Sequence, residues 1–315
     1  MRLNRIVIGM DFSASAIEAA SWTARFLAPE AELVLVHAIV LPEVPRFLRK
    51  RTPPPDTLIE TARLGAEQRL RELASSLGAK LVWPEIRVGM PAEQIVAVCK
   101  EYDADLIVVG PHGERTGGWG ERLGSTAEQL VRAAPIPVLL GTHLIHQVPK
   151  RLLVPVDDST VTPSVVRTAR FLAERFGAAV TAIYVIGPAV LSSALSLAAV
   201  GSIDVGPEVD LLRSELQEDA HDWIEHEVSE NGGREPITTD VVFGDPGMQI
   251  VGIAQRTSTD LIVMGTRGHT GWKRMLLGSV ASYVLRHAPC PTFVVKAPED
   301  EIVDENSPDA NTGEH

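Results

Sequence analysis

A glycine-containing segment in the second half of the chain has the residue types and spacing of a phosphate-binding loop. The apolar run 261–264 leads into Gly265 and Gly268, and Gly278 and Ser279 follow after nine intervening residues. Glycines let the backbone approach a ligand closely. The N–H groups at the start of a following helix attract an anion. This segment is therefore a candidate site for phosphate groups.

The same pattern occurs once more, in the first half of the chain. The apolar run 106–109 is followed by Gly110 and Gly113 and, after ten residues, by Gly124 and Ser125. A plain turn without a ligand explains one such segment as well as a phosphate site does. Turns alone rarely repeat in such detail, so the repetition favours the phosphate site.

An aspartate ends the first apolar run of each half. Asp11 follows the run 5–10, and Asp157 follows the run 152–156. Ligands of open α/β sheets bind at the carboxyl ends of strands, where the winding direction reverses. If the first and fourth strands flank that reversal, Asp11 lies beside the first glycine loop and Asp157 beside the second. Each could cap a helix, or it could accept hydrogen bonds from a base or sugar.

Each half has the elements needed to position these residues, because strand-like and helix-like runs alternate along it. In the first half we predict strands at 5–10, 33–40, 81–88, 106–109 and near 138, with helices ending near 27 and spanning 57–77, 91–102 and 124–133. In the second half we predict strands at 152–156, 180–186, 238–243, 261–264 and 292–295. Alternation of this kind requires parallel strands covered by helices on both faces. The predicted fold class is α/β, with two tandem doubly wound, Rossmann-like domains of five parallel strands each.

A domain duplication accounts for the two halves. The string Thr-Ala-Arg-Phe-Leu-Ala occurs at 23–28 and again at 168–173. A period near 150 residues indicates repeated domains and not a short-repeat solenoid. We predict a first domain at 1–144, a linker at 145–150, a second domain at 151–298, and an acidic, disordered tail at 299–315.

Two segments differ between the halves. The segment 41–56 is proline-rich and basic, and it is either a solvated loop or a site for an anionic partner. At the corresponding place in the second half, the segment 188–206 is apolar and rich in small residues. It is too short to span a membrane, so we expect it to pack on the domain or on a partner rather than on lipid.

Composition narrows the classes of partner. The net charge is -12, which argues against general binding to nucleic acid. Cys99 and Cys290 lie far apart and match no metal or disulfide spacing. The sequence shows no secretory layout and no stretch long enough to cross a bilayer. We therefore expect a cytoplasmic protein with no nucleic-acid or membrane partner.

Taken together, these motifs resemble the universal stress protein family. They comprise the Gly-x-x-Gly loop, the Gly-Ser that follows it, the strand-end aspartate, and a Gly-x-Pro turn after the third strand, at 89–91 and 244–246. The resemblance covers nearly everything before residue 299, as a tandem pair. It implies an adenine nucleotide alpha hydrolase-like fold and membership of the subset of the family that binds ATP, with Mg²⁺.

The resemblance also implies the binding residues of each half. In the second half these are Pro155, Val156, Asp157 and Val185 around the adenosine, Gly265, Arg267 and Gly268 at the ribose and phosphates, and Gly278, Ser279 and Val280 at the phosphates. In the first half they are Gly9, Met10, Asp11, Ala38, Gly110, His112, Gly113, Gly124, Ser125 and Thr126. The first half departs from the pattern, since its loop has one extra residue and Gly9 replaces a proline. Members of the family commonly dimerise through their last strand, so the strands near Val138 and Val294 are expected to pair within the chain as a pseudo-dimer, and a homodimer is also possible.

Other side chains in the two loops have alternative roles. His112 and Arg267 occupy corresponding places, where each contacts phosphate or remains an exposed loop residue. Trp119 and Trp272 also correspond, and each covers the loop or contacts a partner more readily than it stacks on a base. The histidines at 143, 146, 221 and 226 form no convincing metal set.

Three functions are compatible with the sequence. The first is a stress or regulatory protein in which ATP shifts the loop conformations that an unknown protein partner recognises. The second is a slow ATP hydrolase, although no catalytic constellation is evident. The third is an interaction module that needs no nucleotide, with the segment 188–206 as its docking surface.

Overall fold

The computed structural model describes residues 1–41, 53–113, 123–142, 147–199, 206–231, 236–266 and 277–296. Side chains are described throughout these ranges except at 194–199 and 206–210. Arg267, Gly268, Trp119, Trp272, the basic cluster of the segment 41–56 and the predicted tail lie outside the described residues.

The first half contains the five strands and four helices that the sequence predicts. They are β1 (Arg5–Gly9), α1 (Ala14–Trp22), β2 (Glu32–Ile39), α2 (Pro55–Leu77), β3 (Leu81–Val88), α3 (Pro91–Glu101), β4 (Leu106–Val109), α4 (Ser125–Ala133) and β5 (Val138–Leu140). Apart from Arg5 at the start of β1, both β1 and β4 consist of apolar, buried residues, which suits strands covered on both faces.

The second half repeats this order and adds one helix. Its elements are β6 (Arg151–Val156), α5 (Thr162–Phe176), β7 (Ala179–Ile186), α6 (Pro188–Ala199), α7 (Gly206–Glu230), β8 (Ile237–Phe243), α8 (Pro246–Arg256), β9 (Leu261–Gly265), α9 (Ser279–His287) and β10 (Thr292–Val295). The added helix is α6, which residues 188–199 of the apolar segment form directly after β7.

All ten strands join in one sheet, in the order β3-β2-β1-β4-β5-β10-β9-β6-β7-β8. Pairs within each half are parallel, and β5 pairs with β10 in antiparallel fashion, with Val138 opposite Val294. The expected pairing of the two last strands within the chain is therefore confirmed. It covers the edge that each half would otherwise expose.

A second contact between the halves lies at the repeated hexapeptide. Asp11 precedes Thr23 by twelve positions, whereas Asp157 precedes Thr168 by eleven. The first helix of the chain continues from α1 into a π-helical turn at Thr23–Leu27, a form that accommodates an extra residue in a helix. The Leu27 carbonyl oxygen in this turn accepts a hydrogen bond of 2.6 Å from Arg175 Nε of α5.

Both cysteines are buried and free. Burial raises the pKa of the Cys99 thiol to about 12, and burial together with nearby Asp260 raises the pKa of the Cys290 thiol to about 12. We expect neither thiol to react with a disulfide reagent at about pH 8 in the folded protein, because the thiolate is the nucleophile. Both should react once the chain is unfolded, and a colorimetric thiol assay with and without denaturant measures this.

The same shifts make stability depend on pH. In the unfolded chain each thiol ionises at about pH 8.5. The stability that the two neutral thiols contribute to the fold is therefore complete below that pH and is lost as the pH rises toward 12. Rapid reaction of either thiol with the disulfide reagent in the native protein would contradict the prediction that both thiols are unreactive.

Candidate functional site

The winding direction of each half reverses between its first and fourth strands. β1 pairs with β2 on one side and with β4 on the other, and β6 likewise lies between β7 and β9. The carboxyl ends of these strands carry Asp11 and Gly110 in the first half, and Asp157 and Gly265 in the second. The topology therefore brings each aspartate to the edge of the sheet where its glycine loop begins.

Neither aspartate is the N-cap of the helix that follows it. In the first half Ser13 is the N-cap, and its Oγ accepts a hydrogen bond of 3.2 Å from the Ala16 N–H. Asp11 Oδ1 instead accepts hydrogen bonds from Ser13 N (2.9 Å) and Ser13 Oγ (2.6 Å). The helix-cap alternative for Asp11 is thus excluded, because Ser13 performs that role.

Asp157 is held by an equivalent set of donors. Its Oδ1 accepts hydrogen bonds from Ser159 N at 3.2 Å, from Ser159 Oγ, and from Thr162 Oγ1 at 3.2 Å. The N-cap of α5 is Val161. These bonds fix the position of the carboxylate at the rim of the sheet.

The glycine loop of the first half packs closely against α1. A Cβ at Gly110 would lie 2.7 Å from Ser15 Oγ and 3.1 Å from Ala16 N, so a larger residue would displace backbone. Ser15 Oγ also donates to the His112 carbonyl oxygen at 3.0 Å. The Gly124 N–H, at the start of α4, donates to Pro111 O at 2.8 Å and so joins α4 to the beginning of the loop.

The helices that follow both loops begin without a side-chain cap. Gly124 is the N-cap of α4 and Gly278 is the N-cap of α9, and neither can supply a side-chain hydrogen bond. The first-turn N–H groups of such a helix lack intrahelical partners and carry partial positive charge. In the second half the Gly278 N–H donates to Thr266 O at 3.2 Å, which holds the start of α9 beside the strand end.

The Gly-x-Pro turns position a further helix at each site. Gly89 and Gly244 have φ of +138° and +140°, a conformation that side-chain-bearing residues rarely adopt. Pro91 and Pro246 then open α3 and α8. Pro91 lines a cleft in the first half, and Pro246 lines a cleft in the second half.

One cleft in the first half brings together all ten residues that the sequence assigned to it. Its volume is about 220 Å³. The assigned lining residues are Gly9, Met10, Asp11, Ala38, Gly110, His112, Gly113, Gly124, Ser125 and Thr126. Their role in binding stays a prediction. His37 and Ile95 also line this cleft, and the sequence reasoning missed both.

A larger cleft of about 520 Å³ lies at the equivalent place in the second half. Eight of the ten assigned residues line it, namely Pro155, Val156, Asp157, Val185, Gly265, Gly278, Ser279 and Val280. The other two, Arg267 and Gly268, lie outside the described residues. Tyr184, Thr266 and Val190 line the cleft as well, and the sequence reasoning did not assign them.

The two clefts differ in how the end of the first strand is packed. A Cβ at Gly9 would lie 2.8 Å from Ile95 Cδ1 and 2.9 Å from Val109 Cγ1, so these two side chains close over the glycine. The second half has Pro155 at this position, and Pro155 lines the larger cleft. The backbone of the first half is therefore packed too closely here to admit a side chain without displacing Ile95 and Val109.

A hydrogen bond and a ring contact position the His37 side chain, which lines the first cleft. The His37 imidazole donates through Nδ1 to Met10 O at 2.8 Å, since a carbonyl can only accept. Its ring centroid lies 4.8 Å from that of Phe12, whose backbone has φ of 65°. The guanidinium of Arg69, a residue of α2, lies 3.9 Å from the Phe12 ring centroid.

Tyr184 occupies the place of His37 in the second cleft. Its ring packs edge-on against Trp223 of α7, with centroids 5.3 Å apart. Burial raises the pKa of the Tyr184 phenol, and the neighbouring carboxylates of Asp158 and Asp157 raise it further. The phenol therefore stays neutral and can donate a hydrogen bond within the cleft.

The described ranges contain neither a cluster of metal-ligating side chains nor a membrane-spanning helix. No group of three or more His, Cys, Asp and Glu side chains there is arranged to hold a metal ion. His221 has Thr239 Oγ1 3.4 Å from its Nε2, while His143 and His146 lie outside the described residues. No helix in these ranges has both the length and the apolar character needed to cross a membrane.

Comparison with known proteins gives consistent matches over both halves. The model of the universal stress protein family matches residues 2–140 and 149–296. A universal stress protein of Mycobacterium tuberculosis is 30% identical over 311 residues, which cover 92% of this chain and 96% of that protein. A universal stress protein of Methanocaldococcus jannaschii is 40% identical over 152 residues, covering 48% of this chain and 85% of that protein.

Solved structures agree on the fold. The crystal structure of a universal stress protein from Archaeoglobus fulgidus superimposes with a TM-score of 0.67 at 22% identity, covering 94% of this chain and 99% of that one. At this identity the likeness concerns the fold alone. With the family match in both halves and the relative that spans nearly the whole chain, the conclusion is that this chain belongs to the universal stress protein family, as a tandem member.

Proposed function

We propose that the second cleft binds ATP with Mg²⁺, and that its occupancy regulates contact with a protein partner in a stress response. The observation that carries the proposal is that one cleft of about 520 Å³ contains both a carboxylate fixed by hydrogen bonds and the start of a helix. The fixed carboxylate of Asp157 lies at the end of β6. The start of α9, which has no side-chain cap, lies beside the end of β9, the strand next to β6.

The cleft fits the chemistry of ATP. Its volume lies within the range of about 300–1,000 Å³ typical of small-molecule sites. The N–H groups in the first turn of α9, from Ser279 onward, suit phosphate oxygens, and Asp157 can accept hydrogen bonds from a sugar or base. Mg²⁺ is usually held largely by the phosphates themselves and by water, so it requires few protein ligands.

The first cleft is the weaker candidate for ATP. Its volume is about 220 Å³, below the usual range for such ligands. Ile95 and Val109 close over Gly9, where the second half carries a proline. We infer that ATP binds the second cleft more tightly than the first.

Regulation would follow from differential binding to loop conformations. A ligand shifts an equilibrium only by binding one conformation better than another. The loop between β9 and α9 begins at the cleft, so a bound triphosphate would favour the loop conformations that contact it. Slow hydrolysis and a nucleotide-independent docking role remain the alternative functions, and the titration below separates the latter from the proposal.

Calorimetric titration of ATP with Mg²⁺ into the full chain tests the proposal. We expect one site of higher affinity and, at most, a second weaker one. In Gly113→Val the added Cβ would lie 3.0 Å from Asp11 Oδ2, so the variant should lose any weaker site and keep the tighter one. Absence of any binding by the wild type would refute the proposal and favour the interaction module.

A further inference from the structure

The added helix α6 starts at the rim of the second cleft. One residue, Gly187, separates the end of β7 from Pro188, and the Leu191 N–H donates to Gly187 O at 3.2 Å in the first turn. A proline in the first turn has its φ preset for a helix. The direction of α6 is therefore set by β7, with little freedom between them.

The start of α6 forms a wall of the cleft together with the end of β7. Tyr184, Val185, Gly187 and Val190 all line the cleft, and we call these four residues the β7–α6 wall. Val190 is 47% exposed in the protein, so it has apolar surface available for a ligand. None of the twelve residues of α6 is charged.

The β7–α6 wall and the anion-binding groups lie on different sides of Asp157. β6 lies between β7 and β9 in the sheet, so the wall is on the β7 side and the start of α9 is on the β9 side. An apolar wall on one side and the first-turn N–H groups of α9 on the other match a ligand with an aromatic base at one end and phosphates at the other.

In the first cleft His37 and Ala38 stand at the places of Tyr184 and Val185, but no described residue corresponds to the α6 part of the wall. After Ala38, the next described residue along the chain that lines it is Pro91. Val40 lies just beyond the end of β2, is 46% exposed, and does not line the cleft. Among the described residues, a wall contribution from a helix directly after the second strand is therefore found in the second cleft.

We propose that α6 is part of the ligand site, with Val190 packing against the base or sugar of the nucleotide, so that the cleft selects a nucleoside triphosphate over bare phosphates. This inference rests on the proposed binding of ATP in the second cleft. It assigns the start of α6 a role in the site, which the motif residues alone do not provide.

A substitution that adds polarity without charge tests this role. Val190→Asn should weaken binding of ATP with Mg²⁺ by about tenfold, while binding of inorganic triphosphate with Mg²⁺ should change by less than about twofold. A neutral side chain avoids direct repulsion of the phosphates. Calorimetry on the full chain with each of the two probes measures both values.

Val40→Asn is the matched control, because Val40 is equally exposed and stands near the end of the equivalent strand. It should leave both affinities unchanged. Equal ATP affinity in Val190→Asn and the wild type would overturn the inference, as would equal weakening for ATP and triphosphate. Failure of the wild type to bind ATP would instead refute the proposed function, and this inference with it.

Hydrogen exchange provides a second measurement. Amide deuterium uptake over 188–193 should fall when ATP with Mg²⁺ is added, and it should not fall with inorganic triphosphate. Unchanged uptake in a complex whose ATP binding is established by calorimetry would overturn the role of α6 while leaving the proposed function intact.

Discussion

Ser279→Asp is expected to weaken the binding of ATP with Mg²⁺ by about 100-fold or more, because like charges brought together in a binding site cost several kcal/mol. Ser279 is the first residue of α9, and its side chain is exposed at the cleft. An aspartate there would put a carboxylate where the proposal puts phosphate oxygens.

The same substitution should not destabilise the fold. A carboxylate in the first turn of a helix interacts favourably with the helix dipole, by about 0.3–1 kcal/mol. α9 has no acidic residue in its first turn and no side-chain cap. We therefore expect an unchanged or slightly higher melting temperature together with the loss of ATP binding, which separates a defect in the site from a defect in folding.

Ser125→Asp is the matched control for this experiment. Ser125 is the first residue of α4, is exposed, and lines the smaller cleft. It should leave the tighter ATP site unchanged and remove any weaker one. Wild-type affinity in Ser279→Asp would show that the phosphates do not lie at the start of α9, and a loss in Ser125→Asp alone would assign ATP to the first half.

Phe293→Ala is expected to lower the free energy of unfolding of the whole chain by about 3–5 kcal/mol, the usual range for deleting a fully buried aromatic ring. Phe293 is fully buried in β10, opposite Leu139 of β5 and next to Val263 of β9. It belongs to one core cluster that contains residues of both halves. Its loss should therefore destabilise the two halves together.

Denaturant unfolding followed by circular dichroism and tryptophan fluorescence measures this effect. We expect the two signals to change in a single transition, in the wild type and in the variant. Leu64→Ala is the control, since Leu64 is 60% exposed on α2 and such surface changes are usually within about 0.5 kcal/mol. Two separate transitions, with one unaffected by Phe293→Ala, would show that the halves unfold independently.

Local sequence patterns were sufficient for most of the architecture. The alternation of buried strands and amphipathic helices predicted the elements of both halves except α6, because burial on two faces requires continuous apolar runs. The strand-end positions of Asp11 and Asp157, and the glycine loops after β4 and β9, predicted which edge of the sheet holds the site. The family resemblance added the pairing of β5 with β10, which no local pattern requires.

Other features depend on contacts between residues distant in sequence. The sequence of the segment 188–206 indicates only that the segment is apolar. The tertiary structure places one of its residues, Val190, in the wall of the second cleft. The close packing of Ile95 and Val109 over Gly9 likewise joins residues from three separate elements.

The sequence by itself therefore determined the fold class, the duplication and the edge of the sheet at which a ligand would bind. Only the tertiary structure decided which cleft is larger, which side chains outside the motifs line it, and how the two halves share a core. The physical reason is that backbone periodicity and turn chemistry are encoded within a few residues. The shape of a cleft, in contrast, depends on how side chains from several separate elements fill the space between them.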